Sequence, residues 1–147
     1  MTRYVLDTNL YVQAFRNSAA ATALEQFYLA LTPHSYLSSV VLHELLVGAN
    51  TPAKARQIER YIARPFQQTG RLITPTHQTW VEGAGVLARL ARQEGLELRR
   101  VPKSLVHDVL LAVSCREAGA TLVTDNAADF ARLQRYVRFN VAAPWPM

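Results

Sequence analysis

Short runs of consecutive apolar residues alternate along this chain with longer segments in which apolar residues recur at helical spacing. The short runs predict buried strands, and the longer segments predict the helices between them. The predicted strands cover residues 3–7, 35–38, 71–74, 121–124 and 136–141. Because strands that are apolar on both faces are typical of covered parallel sheets, the pattern favours an α/β fold. We therefore expect a three-layer α/β/α sandwich around a central, mostly parallel sheet.

Residues with helix-capping properties mark the boundaries of the predicted helices. Ser18 predicts the start of a helix over residues 19–31, because a serine hydroxyl can satisfy free N–H groups there. Thr51 followed by Pro52 predicts a further helix that ends near Arg64. The other predicted helices cover residues 10–15, 39–47, 77–94, 104–118 and 127–135, and residues 96–103 form a connector. Helices and strands therefore alternate along the whole chain.

Length and composition restrict the class of protein. Half of the 147 residues are hydrophobic and 18% are charged, which excludes an intrinsically disordered chain. A chain of this length predicts a single domain, residues 1–147, that can bury its own core. The single cysteine excludes an internal disulfide framework, and no segment has the character of a membrane span or a targeting signal. These features predict a cytoplasmic protein that does not associate with membranes.

The charge balance suggests an anionic partner. The formal net charge is +5, and arginine supplies 14 of the 16 cationic residues. Arginine suits bidentate contacts with phosphate, although an arginine-rich surface can also be ordinary solvated surface. Five basic residues near the end of the long predicted helix and in the connector are candidates for a phosphate-binding rim. They are Arg89, Arg92, Arg99, Arg100 and Lys103.

Four carboxylates occur within or directly beside apolar segments, where an ionised group costs several kcal/mol unless it is compensated. They are Asp7, Glu44, Asp108 and Asp125. Asp7 and Asp125 close predicted strands, whereas Glu44 and Asp108 lie about one turn inside predicted helices. The fold would bring such residues together at the carboxyl edge of a parallel sheet. Because oxygen ligands favour hard cations, a bound Mg²⁺ or Mn²⁺ would explain the whole cluster.

Each candidate residue also has a purely structural alternative. Asp7 and Asp125 could close turns, and Glu44 or Asp129 could interact with a helix dipole. His43 and His107 each precede a key acid, but packed histidines are more frequent than metal ligands or general bases. Four aromatic residues are expected in the core or in a dimer contact rather than as stacking surfaces for bases. These are Tyr11, Phe15, Phe27 and Tyr28.

Four segments together resemble the successive motifs of PIN domains, and in particular the VapC-type toxins of toxin–antitoxin pairs. The segments are Tyr-Val-Leu-Asp-Thr-Asn at 4–9, Ser-Ser-Val-Val-Leu-His-Glu-Leu-Leu-Val-Gly-Ala at 38–49, His-Asp-Val-Leu-Leu-Ala at 107–112 and Thr-Leu-Val-Thr-Asp-Asn-Ala-Ala-Asp-Phe at 121–130. Their order and spacing carry the resemblance, which extends over residues 3–141. It implies an α/β/α sandwich with metal-dependent endoribonuclease activity.

The resemblance also assigns roles to individual residues. Asp7, Glu44 and Asp108 match the acidic triad of the family, with Asp125 or Asp129 as a fourth metal ligand. Four polar residues match the positions that support these acids. They are Thr8 and Asn9 beside the first carboxylate, Thr124 beside the metal site, and Asn126 as a neutral ligand or orienting group. His107 departs from the asparagine that is frequent at its position in relatives.

As partners, the resemblance implies an RNA substrate, a VapB-like antitoxin and a second copy of the chain in a homodimer. Water activated by Mg²⁺ or Mn²⁺ would attack the phosphodiester and leave 5′-phosphate and 3′-hydroxyl ends. One alternative is a degenerate PIN-like module that binds RNA or protein without catalysis. Another is a phosphohydrolase with an aspartyl-phosphate at Asp7, although Asn9 stands where such enzymes usually carry a second acid.

Overall fold

Five parallel strands form the centre of the computed structural model, which describes residues 2–146. In chain order the strands are β1 (Arg3–Leu6), β2 (Ser35–Ser38), β3 (Leu72–Ile73), β4 (Ala120–Val123) and β5 (Asn140–Ala142). Their spatial order is β3-β2-β1-β4-β5, and every neighbouring pair is parallel. On β1, Tyr4 is in register with Ser35 of β2 and with Thr121 of β4. The predicted α/β/α architecture with a parallel sheet is confirmed.

Helices occupy most of the chain between the strands. They are α1 (Thr8–Arg16), α2 (Ser18–Leu31), α3 (Ser39–Val47), α4 (Pro52–Ile58), α5 (Arg64–Gln68), α6 (His77–Glu94), α7 (Lys103–Ala118) and α8 (Ala127–Leu133). A π-helical segment at Glu59–Ala63 joins α4 to α5, and single 3-10 turns occur at Thr32–His34 and Leu98–Arg100. Within residues 2–146, none of these helices is both long and apolar enough to span a bilayer.

The strand order reverses direction at the centre of the sheet. The chain proceeds outward from β1 to β2 and β3, and then crosses back to β4 on the other side of β1. Right-handed crossovers place α1–α5 over one face and α6–α8 over the other. Most helix contacts agree, because α1 touches α2 and α3, while α7 touches α6 and α8; α7 also contacts α3. Ligands in open parallel sheets bind at such a reversal point, which here lies beyond the carboxyl ends of β1 and β4.

The core is densest around these two central strands. Leu6 of β1 and Leu122 and Val123 of β4 are almost completely buried between the helical layers. Helix α7 is the most deeply buried helix, with every side chain from Val109 to Cys115 inside the protein. Burial raises the pKa of the Cys115 thiol to about 12, so this cysteine is a neutral core residue.

Many element boundaries differ from the sequence prediction, most of them by one or two residues, and three of the differences have a clear physical cause. The cap of α2 is Asn17 rather than Ser18, because the Asn17 side chain accepts the Ala20 N–H at 3.1 Å. The helix expected to end near Arg64 continues through the π-helical segment to Gln68. Pro65 has no N–H to donate, and the hydrogen bonds of the preceding turn adopt the wider π-helical spacing.

The last strand is also shorter and later than expected. Residues 136–141 were predicted to form it, but the N–H groups of Tyr136 and Val137 both bond back to the Leu133 carbonyl. These two bonds continue the end of α8 as a turn. The strand therefore begins only at Asn140.

Two glycine substitutions are expected to change stability in opposite directions. Gly119 ends α7 in the left-handed conformation, at φ 63°, whereas Gly85 lies within α6. A methyl group at either position meets no atom within 4 Å, so only the backbone preference changes. Gly119→Ala should lower the free energy of unfolding by about 1–2 kcal/mol, and Gly85→Ala should raise it by about 1 kcal/mol. Chemical denaturation measures both, and a shift of the same sign in the two variants would contradict this account.

Candidate active site

The carboxylates singled out in the sequence lie around the reversal point of the sheet. Asp7 follows β1 directly and is the N-cap of α1, and Asp125 comes two residues after β4. Glu44 and Asp108 are each the sixth residue of their helices, α3 and α7. Their charges are close enough to perturb one another, because Glu44 raises the pKa of both Asp7 and Asp108.

Asp7 is the most tightly held member of the cluster. It is only 6% exposed, and its N–H donates to the Val123 carbonyl at 2.9 Å. One carboxylate oxygen, Oδ1, accepts the Thr8 N–H at 2.8 Å, and Oδ2 accepts the Thr124 hydroxyl at 2.8 Å. Burial raises the pKa of Asp7, and these two hydrogen bonds partly oppose that shift by stabilising the charged form.

Glu44 is linked to Asp7 through Thr8. The Thr8 hydroxyl donates to Glu44 Oε1 at 2.7 Å, while the Thr8 N–H holds Asp7. On the other side, His107 Nδ1 lies 3.6 Å from Glu44 Oε2. The ring of His43 packs edge-on against that of His107, with 5.3 Å between the ring centroids. No spacing rule along the chain predicts that His107 lies close to Glu44, because the contact joins two separate helices, α7 and α3.

Asp108 has the most perturbed carboxyl group of the cluster. Burial is the largest cause, and the negative charges of Asp7, Glu44 and Asp129 add to it, so that the pKa rises to about 7. Within residues 2–146, no hydrogen-bond donor offsets this repulsion at Asp108. A carboxylate in such surroundings gains from a neighbouring cation, because opposite charge favours its ionised form.

Asp125 and Asp129, the two candidates for a fourth acid, lie on different sides of the cluster. Both side chains are exposed. Gln13 on α1 donates its side-chain N–H to Asp125 Oδ2, and Asp125 acts electrostatically on Asp7. Asn126 donates to Asp129 Oδ2 at 2.8 Å, and Asp129 acts on Asp108.

The polar residues expected to support the acids are only partly engaged. Thr8 and Thr124 bond Asp7, and the Asn126 N–H donates to the Thr124 hydroxyl at 3.0 Å. Asn9 is exposed on α1 and makes no side-chain hydrogen bond within residues 2–146. Gln13 was missed in the sequence, because it lies five positions after Thr8, on a different face of α1.

The predicted basic rim is divided in the structure. Arg89 donates to the Tyr136 carbonyl at 2.7 Å, which engages its guanidinium within the protein. Arg100 forms an exposed ion pair with Glu97 at 3.3 Å. Lys103 begins α7, the helix that carries Asp108. The other two residues, Arg92 and Arg99, are exposed.

A family model for the PIN domain matches residues 4–136. The chain belongs to the PIN domain family. Among proteins with curated descriptions, none is significantly similar to it in sequence.

Solved structures of similar fold cover almost the entire PIN domain. A chain of the DNA-bound VapBC complex from Salmonella typhimurium has a TM-score of 0.70 at 20% identity, over 97% of this chain and 98% of that one. A chain of VapBC2 from Rickettsia felis, bound to a promoter DNA fragment, has a TM-score of 0.62 at 23% identity, covering 99% and 100%. A chain of VapBC-1 from nontypeable Haemophilus influenzae has a TM-score of 0.64 at 21% identity, covering 97% and 98%.

The donor set of this PIN domain fits a hard divalent cation. PIN nucleases generally use divalent metals. Within residues 2–146, no three His, Cys, Asp or Glu side chains are placed closely enough to hold a metal ion by themselves. The buried Asp7 and the mutually repelling Glu44 and Asp108 nevertheless present only carboxylate oxygens, the ligands that suit Mg²⁺ and Mn²⁺. An open carboxylate site completed by water and substrate is the usual arrangement for Mg²⁺.

Removing one charge from this cluster is expected to stabilise the metal-free PIN domain above neutral pH. The pKa of Asp108 is about 7 in the folded protein and near 3.8 in a free carboxyl, so rising pH lowers stability between these two values. At pH 8, Asp108→Asn should therefore raise the free energy of unfolding by about 1–2 kcal/mol, allowing for solvent screening. At pH 4 the gain should nearly vanish.

Denaturant titrations in EDTA at both pH values measure this difference. Glu117→Gln, which changes an exposed carboxylate on the same helix, is the matched control and should leave stability nearly unchanged. An Asp108→Asn protein no more stable than wild type at pH 8 would show that the acids do not repel one another as described.

Proposed function

We propose that this PIN domain is a metal-dependent endoribonuclease and the toxin of a toxin–antitoxin pair. The observation that supports the proposal is the proximity of Asp7, Glu44 and Asp108 near the reversal point of the sheet: burial raises the pKa of Asp108, and the charges of Asp7 and Glu44 raise it further. Such mutual repulsion destabilises a fold, so a shared ligand of positive charge is the economical explanation. The basic net charge of the chain suits an RNA substrate outside the acidic site.

In this proposal, Asp7, Glu44 and Asp108 hold Mg²⁺ or Mn²⁺, directly or through water, together with Asp125 or Asp129. When bound, such an ion supplies a Lewis acid that activates water and neutralises charge developing on a phosphodiester. The protein's own contribution is orientation. Thr8 and Thr124 fix the two oxygens of Asp7, and Thr8 also fixes Glu44. Asp125 and Asp129 are both exposed, so the cluster is open to solvent beside each of them, where a phosphate could enter.

A covalent mechanism at Asp7 has less support. The residue is only 6% exposed, which restricts the approach of a phosphorus atom. Asn9 also stands where aspartyl-phosphate enzymes usually carry a second acid. Burial and the missing acid therefore favour binding of a cation at Asp7 over formation of an aspartyl-phosphate.

We also propose a VapB-like antitoxin as partner, a homodimer as the assembly and the cytoplasm as the site of action. Support for the antitoxin comes from the structures of similar fold, which are described as VapBC complexes. Co-expression with the protein encoded next to this chain, followed by purification of the pair, would test the antitoxin proposal. Sedimentation would test the dimer against the 16.4 kDa mass of one chain.

The nuclease assignment predicts RNA cleavage that requires both metal and acid. Purified protein should cut labelled structured RNA in Mn²⁺ but not in EDTA. Asp7→Asn and Asp108→Asn should each reduce the rate by more than the roughly 10- to 100-fold typical of changes around a metal site. Arg138→Ala, which alters an exposed residue before β5 at the opposite edge of the sheet, should cut like wild type. Full cleavage by both acid variants, in preparations free of contaminating nuclease, would remove the assignment.

The toxin assignment predicts an effect on growing cells. Expression of the chain alone should arrest growth of a bacterial host, and Asp7→Asn at the same protein level should not. Colony counts after induction measure the difference, and Arg138→Ala is again the active control. A wild-type chain that is abundant, folded and harmless would contradict the toxin assignment. The nuclease assignment would still be decided by the RNA cleavage assay.

A further inference from the structure

A groove of about 570 Å³ opens next to the acidic cluster, and the proposed function does not use it. Its walls are α1, the end of α3, and α4 with the π-helical segment that follows. Glu44 stands at one end, so the groove is continuous with the cluster. Its volume lies within the range of roughly 300–1,000 Å³ typical of ligand sites.

Helical spacing explains why one groove collects side chains from three segments. On α1, Val12 and Arg16 follow Thr8 at intervals of four residues, so all three share one helix face. Since the Thr8 hydroxyl contacts Glu44, this face leads away from the acids. Arg16 lies about 13 Å from Asp7 along the helix axis, at 1.5 Å per residue. On the opposite wall, Lys54 and Tyr61 are seven residues apart, with Lys54 on α4 and Tyr61 in the π-helical segment.

The groove is lined mostly by apolar side chains, two of them exposed aromatic rings, and it also carries two cations. Phe15 is 56% exposed and Tyr61 is 68% exposed, both on its walls. Phe15 therefore does not lie in the core, one of the two positions predicted for it; the other, a dimer contact, stays a prediction. Arg16 and Lys54 line the groove, and Glu44 is its only acid among the described residues.

Exposed aromatic rings beside cations have a well-defined use in proteins that bind single-stranded nucleic acids. Bases stack on the rings, and the cations follow the phosphates. A purely apolar groove would fit a helix face of a protein equally well, but the two cations favour an anionic occupant. The guanidinium of Arg60 lies 5.4 Å from the centroid of the Tyr61 ring and adds a third positive charge there.

We propose that this groove binds the single-stranded RNA segment next to the phosphate that is cleaved. Tyr61 and Phe15 stack on bases, while Arg16 and Lys54 contact phosphates on the way from the acidic cluster. The inference rests on the proposed nuclease function and adds the path of its substrate. It places that path along α1 and α4 rather than along the end of α6, where Arg89 is already bonded to the Tyr136 carbonyl.

Binding of a fluorescein-labelled 12-nucleotide oligouridylate in EDTA tests the groove without cleavage. By fluorescence anisotropy, Tyr61→Ala should weaken binding about five- to 100-fold, and Tyr61→Phe, which keeps the ring, should bind like wild type. Arg16→Ala should weaken binding and reduce the slope of log K against log salt by about 0.7, the value for one lost phosphate contact on a single strand.

Gly48 offers a second test that changes no charge and no aromatic ring. It lines the groove and has φ −76°, so a side chain is compatible with its backbone. An added Cβ would lie 3.4 Å from the nearest atom, the Glu44 carbonyl oxygen, which is an ordinary contact. Gly48→Leu should therefore fill the groove and reduce RNA affinity at least as much as Tyr61→Ala, without unfolding the protein.

Two surface variants away from the groove are the matched controls. Trp80→Ala removes an aromatic side chain that is 56% exposed on α6, and Arg138→Ala removes an exposed arginine. Both should bind the oligonucleotide like wild type, and circular dichroism melting should show that every variant is folded. In Mn²⁺, Tyr61→Ala should raise KM far more than it lowers kcat, because it touches no acid of the cluster.

The outcomes separate this inference from the nuclease assignment. If wild type binds and cuts RNA while Tyr61→Ala, Arg16→Ala and Gly48→Leu bind it equally well, the groove is not the RNA path and the inference is overturned. If the same variants instead lose a co-expressed protein partner, the groove is a protein-docking site and the inference is likewise overturned. If wild type neither binds nor cuts any RNA, the proposed function fails together with it.

Discussion

The hydrogen bond from the Thr124 hydroxyl to Asp7 connects the two central strands at the point where the acids meet. It spans 2.8 Å and is buried, and the Asp7 N–H bonds the carbonyl of Val123, one residue before Thr124. These contacts fix the ends of β1 and β4 relative to each other. Helix α1 begins immediately after Asp7, and the Thr8 hydroxyl donates to Glu44 on α3. The hydrogen bond between Thr124 and Asp7 therefore also positions α1 and α3.

This arrangement concentrates negative charge in a place that the core would otherwise keep apolar. The largest effect on both Asp7 and Asp108 is burial, and their neighbours then add repulsion. Hydrogen bonds from Thr8 and Thr124 compensate Asp7, but Asp108 receives no such donor within residues 2–146. The fold tolerates the imbalance because the interior of α7 and the central strands bury large apolar side chains directly beneath it.

The general position of the acids was predictable, because it depends on topology. Asp7 and Asp125 follow strands, and Glu44 and Asp108 stand at equal depth in their helices, so one parallel sheet brings them to one edge. The contacts that refine the cluster were not predictable in the same way. Gln13 reaches Asp125 from a face of α1 that no spacing rule links to Thr8, and His107 approaches Glu44 across two helices.

Phe15 shows a second limit of the sequence pattern. Its apolar ring predicted a core or dimer position, and the core position was wrong, because within α1 only Leu10 and Tyr11 are fully buried. A helix covered on one side leaves apolar residues on its flank exposed, and hydrophobicity alone does not say which flank that is. The shift of the last strand has a similar origin, because local hydrogen bonds to Leu133 outcompeted the strand tendency of residues 136 and 137.

The π-helical segment at Glu59–Ala63 forms, together with α4, one wall of the groove beside the acidic cluster, and it determines how that wall can change length. A π turn holds one residue more than an α-helical turn over the same span, so it can be viewed as an α-helix with a single inserted residue. Deleting one residue there would restore regular helix and leave the ladders of α4 and α5 intact. Because the extra residue is held within one wide turn, the side chains on either side of the deletion would keep their directions. This segment can therefore lose one residue while Ile58 before it and Phe66 after it both stay in the core.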